Sequence, residues 1–157
     1  MLDRVIAALF VLALSGAAFA ARADSPIFVG TWHWNPKEST TAPGEPLPQQ
    51  VVLTIASADK ARVQWSVTTV DNKSVKTVKS FAGTGDGKPT PVTGDPGTTG
   101  SFTVTATTME SVYTSADGGT DRASCSVSSD RKKLTCHGTE SDGKGHSANY
   151  TDVYDRQ

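Results

Sequence analysis

The chain is poor in the side chains that fill helical cores. Beyond residue 23 it holds three Leu (Leu47, Leu53 and Leu134), two Ile and a single Met. No segment repeats apolar residues at helical spacing over three turns, which excludes a helical bundle. Two Cys in all exclude a disulfide-dense framework. Neither sign of charge is in excess. The formal net charge is −1 over 157 residues, and the one basic cluster is Arg131-Lys132-Lys133, so a nucleic-acid partner is the least expected on electrostatic grounds. No apolar run reaches the roughly 20 residues that span a bilayer. No Gly-x-Ser-x-Gly elbow is present, and the glycines of 83–100 precede neither a Lys-Ser/Thr pair nor a helix that could cradle phosphate.

The N-terminus supplies an export signal. Arg4 precedes the apolar run Val5 to Leu14, and the small-residue triplets Ala18-Phe19-Ala20 and Ala21-Arg22-Ala23 follow. This is the pattern of a secretory signal peptide. Cleavage after Ala23 leaves residues 24–157 as a single domain, bound for the periplasm or the outside of the cell; cleavage after Ala20 is the alternative. No Cys follows the run to carry a lipid, and no transmembrane anchor remains once the leader is removed. The domain is expected to be a monomer.

Threonine and serine dominate what is left. Residues 24–157 hold 21 Thr and 15 Ser, with bulk supplied by Val and nine aromatics, a composition that favours strands. Phe28-Val29-Gly30-Thr31-Trp32-His33-Trp34-Asn35 opens the domain, with Phe28, Gly30, Trp32 and Trp34 on one face. Strands are expected over 51–56, 62–70, 74–82, 101–108, 110–115, 120–128, 133–140 and 146–154. The Pro-rich stretch 36–50 is a connection. The stretch 83–100, with six Gly and three Pro, is expected to be a flap beside the barrel mouth, with at most a short edge strand at 91–96. Short turns make successive strands antiparallel neighbours. Closing eight or nine such strands removes the exposed edges, so an all-β, antiparallel up-and-down barrel is expected; a two-sheet sandwich would instead hold the first and last strands apart.

Gly30-x-Trp32 at the start of the domain resembles the opening of the lipocalin-like (calycin-type) barrels. Three stretches resemble a group of secreted bacterial proteins of that type: Gly30-Thr31-Trp32 with Asn35 and Ser39, Asp86-Gly87-Lys88 with Pro91-Val92-Thr93-Gly94, and Val153-Tyr154-Asp155-Arg156-Gln157. The resemblance implies a small exported barrel and brings no activity with it. It also implies that Trp32 plugs one end beside Gly30, and that Arg156 lies across the indole and closes that end.

Candidate chemistry is sparse. His33, His137 and His146 sit at no short ligand spacing, so neither a metal nor another cofactor is expected. Most carboxylates are read as turn residues, which leaves a glycosidase-like pair unsupported and makes an enzyme the least favoured class. Cys125 and Cys136 are symmetric about Asp130-Arg131. An even-length hairpin loop sets them opposite each other, with Val127 opposite Leu134 and Ala123 opposite Gly138, and predicts a disulfide on the buried face. Scarce filler residues favour a cavity. The expected function is binding of a small apolar or amphipathic molecule, with Trp32, Trp34, Trp65 and Phe102 on or near its wall. The alternative is a structural or partner-binding envelope protein without a cavity.

Overall fold

A computed structural model describes residues 27–41 and 46–157; the expected leader at 1–23 lies outside the described residues. Ten strands follow in order: β1 (Gly30–Trp34), β2 (Gln50–Ala58), β3 (Val63–Val70), β4 (Lys76–Gly83), β5 (Thr90–Pro91), β6 (Thr99–Val104), β7 (Thr108–Thr114), β8 (Thr120–Val127), β9 (Lys133–Ser141) and β10 (Ser147–Arg156). They form one antiparallel sheet in the order β4-β3-β2-β1-β10-β9-β8-β7-β6-β5. The first and last strands pair through Trp32↔Arg156 and Trp34↔Tyr154, which rules out the sandwich. The protein is an all-β, lipocalin-like up-and-down barrel.

Two expectations need correction. The β6–β7 turn falls at Thr105–Thr107, not at Met109, because the Thr105 hydroxyl accepts the Thr107 and Thr108 amides and closes the turn by itself. The Gly/Pro stretch after β4 is the seam of the barrel and not a free flap. Thr93 exchanges two 2.9 Å backbone hydrogen bonds with Ser80 of β4, while Thr90 and Pro91 pair with β6. Val92 is buried between them. Glycine is required where the backbones meet: a Cβ on Gly94, at φ +83°, would stand 2.4 Å from the Val78 carbonyl oxygen. Breaks in side-chain pattern that read as a loop thus serve close backbone approach.

Side-chain alternation divides the interior. At one end Phe28, Trp32, Ile55, Val63 and Leu134 are almost wholly buried, each contributing about 1.5–3 kcal/mol through lost apolar surface. Above them Trp65 stacks with Phe81 at 6.0 Å and meets Phe102 and Tyr113 edge-on. Cys125 pairs with Cys136 across β8 and β9, flanked by Val127↔Leu134 and Ala123↔Gly138, and the two sulfurs are bonded. That is the register the six-residue loop between Val127 and Leu134 predicts.

Candidate ligand-binding chamber

The Trp32 end is sealed. The Trp32 indole N–H donates to the Phe28 carbonyl at 2.9 Å, and the Arg156 guanidinium carbon stands 4.1 Å from the ring centroid. Arg156 donates from Nη2 to the Ile27 carbonyl (2.6 Å), from Nη1 to that of Val29 (2.9 Å) and from Nε to that of Arg131 (2.7 Å). Gly30, at φ +150°, makes this possible, since a Cβ there would meet Nη1 at 2.9 Å. The left-handed Arg131, φ 60°, turns its carbonyl toward the same guanidinium.

The opposite end is open. An upper chamber of about 410 Å³ at the mouth has Trp65, Lys79, Asp95, Tyr113, Asp121 and Glu140 in its wall. A lower chamber of about 180 Å³ continues inward past Phe102, the disulfide, Tyr150 and Asp152. Trp65, Val67, Tyr113 and Asp121 belong to both walls. The seam contributes Val92, Asp95 and Thr98 to the mouth.

Polar groups cluster on β8, β9 and β10. Asp121 on β8 is the Cα partner of Glu140 on β9, and Asp152 lies on β10. The Tyr150 hydroxyl donates to Asp121 at 2.7 Å, and the Trp34 indole N–H donates to Asp152 at 2.8 Å. Tyr150 is aimed by Gly138: a Cβ there would lie 2.1 Å from the ring, so the phenol rests flat on bare backbone. Burial is the first cause that pushes the Tyr113, Tyr150 and Tyr154 phenols up, followed by Asp121 for the first two and Asp152 for the third. All three stay neutral donors at physiological pH. Across the mouth Lys79 pairs with Asp95 at 2.7 Å.

This geometry has structural counterparts. A variant of the fluorescent protein UnaG superposes with a TM-score of 0.57 at 17% identity, over 83% of this chain and 96% of that one. The REP1-NXSQ fatty acid transporter gives 0.54 at 15% identity, over 82% and 95%. The chain shares their barrel fold. No protein-family model and no curated sequence matches it.

Of the four aromatic residues expected near a cavity, Trp65 lines both chambers and Phe102 the lower one. Trp32 lies elsewhere, with no exposed surface, in the sealed end. Trp34 stands in neither wall and donates to Asp152, which lines the lower chamber. The three His residues are hydrogen-bonded to Gln157, Thr151 and Asp142 respectively, and among the described residues no cluster is placed to hold a metal. Asp59, Asp71, Asp117, Asp130 and Asp142 accept turn amides as expected, whereas Asp121, Glu140 and Asp152 lie within strands on the inner face. Counting in twos from the disulfide reaches them, since Cys125, Ala123 and Asp121 share one face, as do Cys136, Gly138 and Glu140.

Proposed function

We propose that the domain is an exported carrier or sensor that binds one small, largely apolar or amphipathic molecule inside the barrel. The observation that supports this reading best is the pair of adjoining chambers, whose walls share the rings of Trp65 and Tyr113. Apolar walls with a few convergent polar groups are the common make-up of small-molecule sites. The likeness to a fatty acid transporter agrees with an internal apolar guest. Export rests on the leader pattern at 1–23, and a disulfide persists best in an oxidising compartment. Among the described residues no helix is long and apolar enough to cross a membrane.

The test is titration of an environment-sensitive apolar dye and a lipid panel against the native protein and a Trp65→Ala variant. Binding at micromolar concentration, with a shift in Trp emission and at least a tenfold loss in the variant (about 1.4 kcal/mol), is expected. No binding and no emission shift would move the reading to a structural envelope protein. Native mass spectrometry of protein purified from its own host would then identify the guest.

A further inference from the structure

We propose, resting on the reading of the barrel as a binding protein, that its guest is an uncharged apolar molecule bearing a carbonyl oxygen, which accepts a hydrogen bond from the Trp65 indole N–H. The chain has three Trp residues, and one of them differs from the other two. The indole N–H of Trp32 donates to the Phe28 carbonyl and that of Trp34 to Asp152. The N–H of Trp65, in a residue only 7% exposed, has no hydrogen-bond partner among the described residues. A buried indole ordinarily finds an acceptor, and a donor left unmet costs the fold free energy. The Trp65 N–H is thus a place for an acceptor that the chain does not supply.

The donor is fixed where it stands. Trp65 stacks with Phe81 at 6.0 Å and meets Phe102 and Tyr113 edge-on at 6.4 and 6.2 Å, so turning the indole toward a protein carbonyl would break three ring contacts. Those rings lie where the two chambers adjoin: Trp65 and Tyr113 stand in both walls and Phe102 in the lower one. A guest that spans both chambers passes beside the indole. Burial, first among its causes, pushes the Tyr113 phenol up and keeps it protonated. A second polar group common to both walls is therefore a hydrogen-bond donor as well.

The rest of the wall selects an acceptor without charge. An ionised head buried away from a counter-ion is costly. Lys79 is the one basic residue among the described residues that line the chambers, and it pairs with Asp95 at 2.7 Å, so a carboxylate head would gain a cation only by displacing Asp95. Asp121, Glu140 and Asp152 do not alter this, since a carboxyl group in either protonation state supplies no positive charge. An ammonium head carries donors alone and leaves the Trp65 N–H unmet. A ketone, ester or amide oxygen meets the donor and adds no charge, while Leu53, Ile55, Met109 and Leu134 of the lower chamber cover the apolar body.

The experiment titrates octan-2-one, octylammonium and octanoate, matched in chain length and differing in head, by calorimetry and by magnetic resonance of the indole N–H groups. Octan-2-one is expected to bind at least about tenfold tighter than either charged probe. It should move the Trp65 indole proton downfield, as a new hydrogen bond to oxygen does, and leave that of Trp32 in the sealed end in place. Trp65→Phe keeps a ring in the stack and removes the donor, and should weaken octan-2-one about tenfold while sparing octylammonium. The melting transition verifies the fold of the variant, and the resonance of the native protein gives its answer without any substitution. A charged probe that binds as tightly as octan-2-one, or full octan-2-one affinity in Trp65→Phe, overturns the carbonyl assignment while the barrel remains a binding protein. An unmoved Trp65 resonance, expected of an N–H already satisfied by a neighbouring ring face, overturns it equally. If none of the three probes binds, the binding reading itself falls.

Discussion

The two ends of the barrel solve the same problem in opposite ways. At the Trp32 end each donor singled out above meets an acceptor: the indole reaches Phe28, and Nε, Nη1 and Nη2 of Arg156 reach the carbonyls of Arg131, Val29 and Ile27. At the mouth the wall holds cross-strand carboxylates, neutral phenols and an indole N–H with no partner. One end is complete without a guest, whereas the other encloses two chambers and leaves the Trp65 indole N–H unmet. The difference separates stability from the proposed binding: truncations at the sealed end should lower stability and spare binding, and changes at the mouth should do the reverse.

The largest expected effect tests that division. Trp32→Ala should destabilise by about 3–5 kcal/mol, the usual cost of deleting a buried Trp. Arg156→Ala should cost roughly 1.5–3 kcal/mol, because charged hydrogen bonds to backbone carbonyls are lost. Both are read from urea unfolding. Wherever the variants remain folded, their affinity for an apolar dye should match the native protein; a parallel loss of affinity would break the comparison.

The disulfide lies between the two ends, buried in the lower chamber wall. It closes a loop with a sequence separation of 11, and replacing both Cys125 and Cys136 by Ala should cost about 2–3 kcal/mol. Labelling of the unfolded, unreduced protein should find no reactive thiol. Two labelled thiols per chain would remove the staple from the account.

How far the sequence reached follows the same division. The hairpin register could be read because its markers are local and the pattern is period two, Cys125 and Cys136 being symmetric about a turn; the places of Trp32 and Arg156 were implied by the resemblance instead. Ser57 shows what local reading misses. The register of β2 against β3 shifts between Ile55 and Ser57, so β2 runs on to Ala58 through residues that read as a turn. The chamber was harder because its residues are dispersed over several strands. Lys79 faces inward only because Val67 pairs with it, and Asp95 reaches it from a seam that composition alone assigns to a loop. Asp121, Glu140 and Asp152 resemble ordinary solvated strand residues until the inner face is fixed by the disulfide.

Alkaline pH sharpens the contrast with a smaller effect. The three tyrosines of the chain, Tyr113, Tyr150 and Tyr154, all have raised pKa values in the folded state, first because of burial. In the unfolded chain they ionise near pH 10. The native state then holds protons that the unfolded state has released, so the stability these phenols contribute is full below about pH 10 and declines as pH rises toward the folded values. Phenolate absorbance should stay flat in the native protein past pH 10 and rise together with loss of the Trp emission signal. Smooth titration of a tyrosine in the folded state would mean that water reaches the chamber wall freely.

The smallest effect belongs to the outer surface of the sealed end. Lys133 bonds Glu38 at 2.9 Å and Asp155 at 2.8 Å, and Asn35 donates to Asp155 at 2.7 Å. Asp155 chiefly raises the Lys133 pKa, and Lys133 chiefly lowers that of Asp155. The signs define a window. The depressed carboxyl contributes stability above its unfolded value near pH 4, lost as pH falls through the folded value; the raised ammonium contributes below about pH 10.4, lost as pH rises through its own. Lys133→Ala should therefore lower the melting temperature slightly between these limits, and the native and variant curves should converge toward either extreme. Exposure makes the network weak and salt-sensitive, so the gap should close at high ionic strength even near neutral pH. A gap as large as that of Arg156→Ala, or one that salt leaves untouched, would show that the outer network holds the last strand in place as firmly as the guanidinium beneath it.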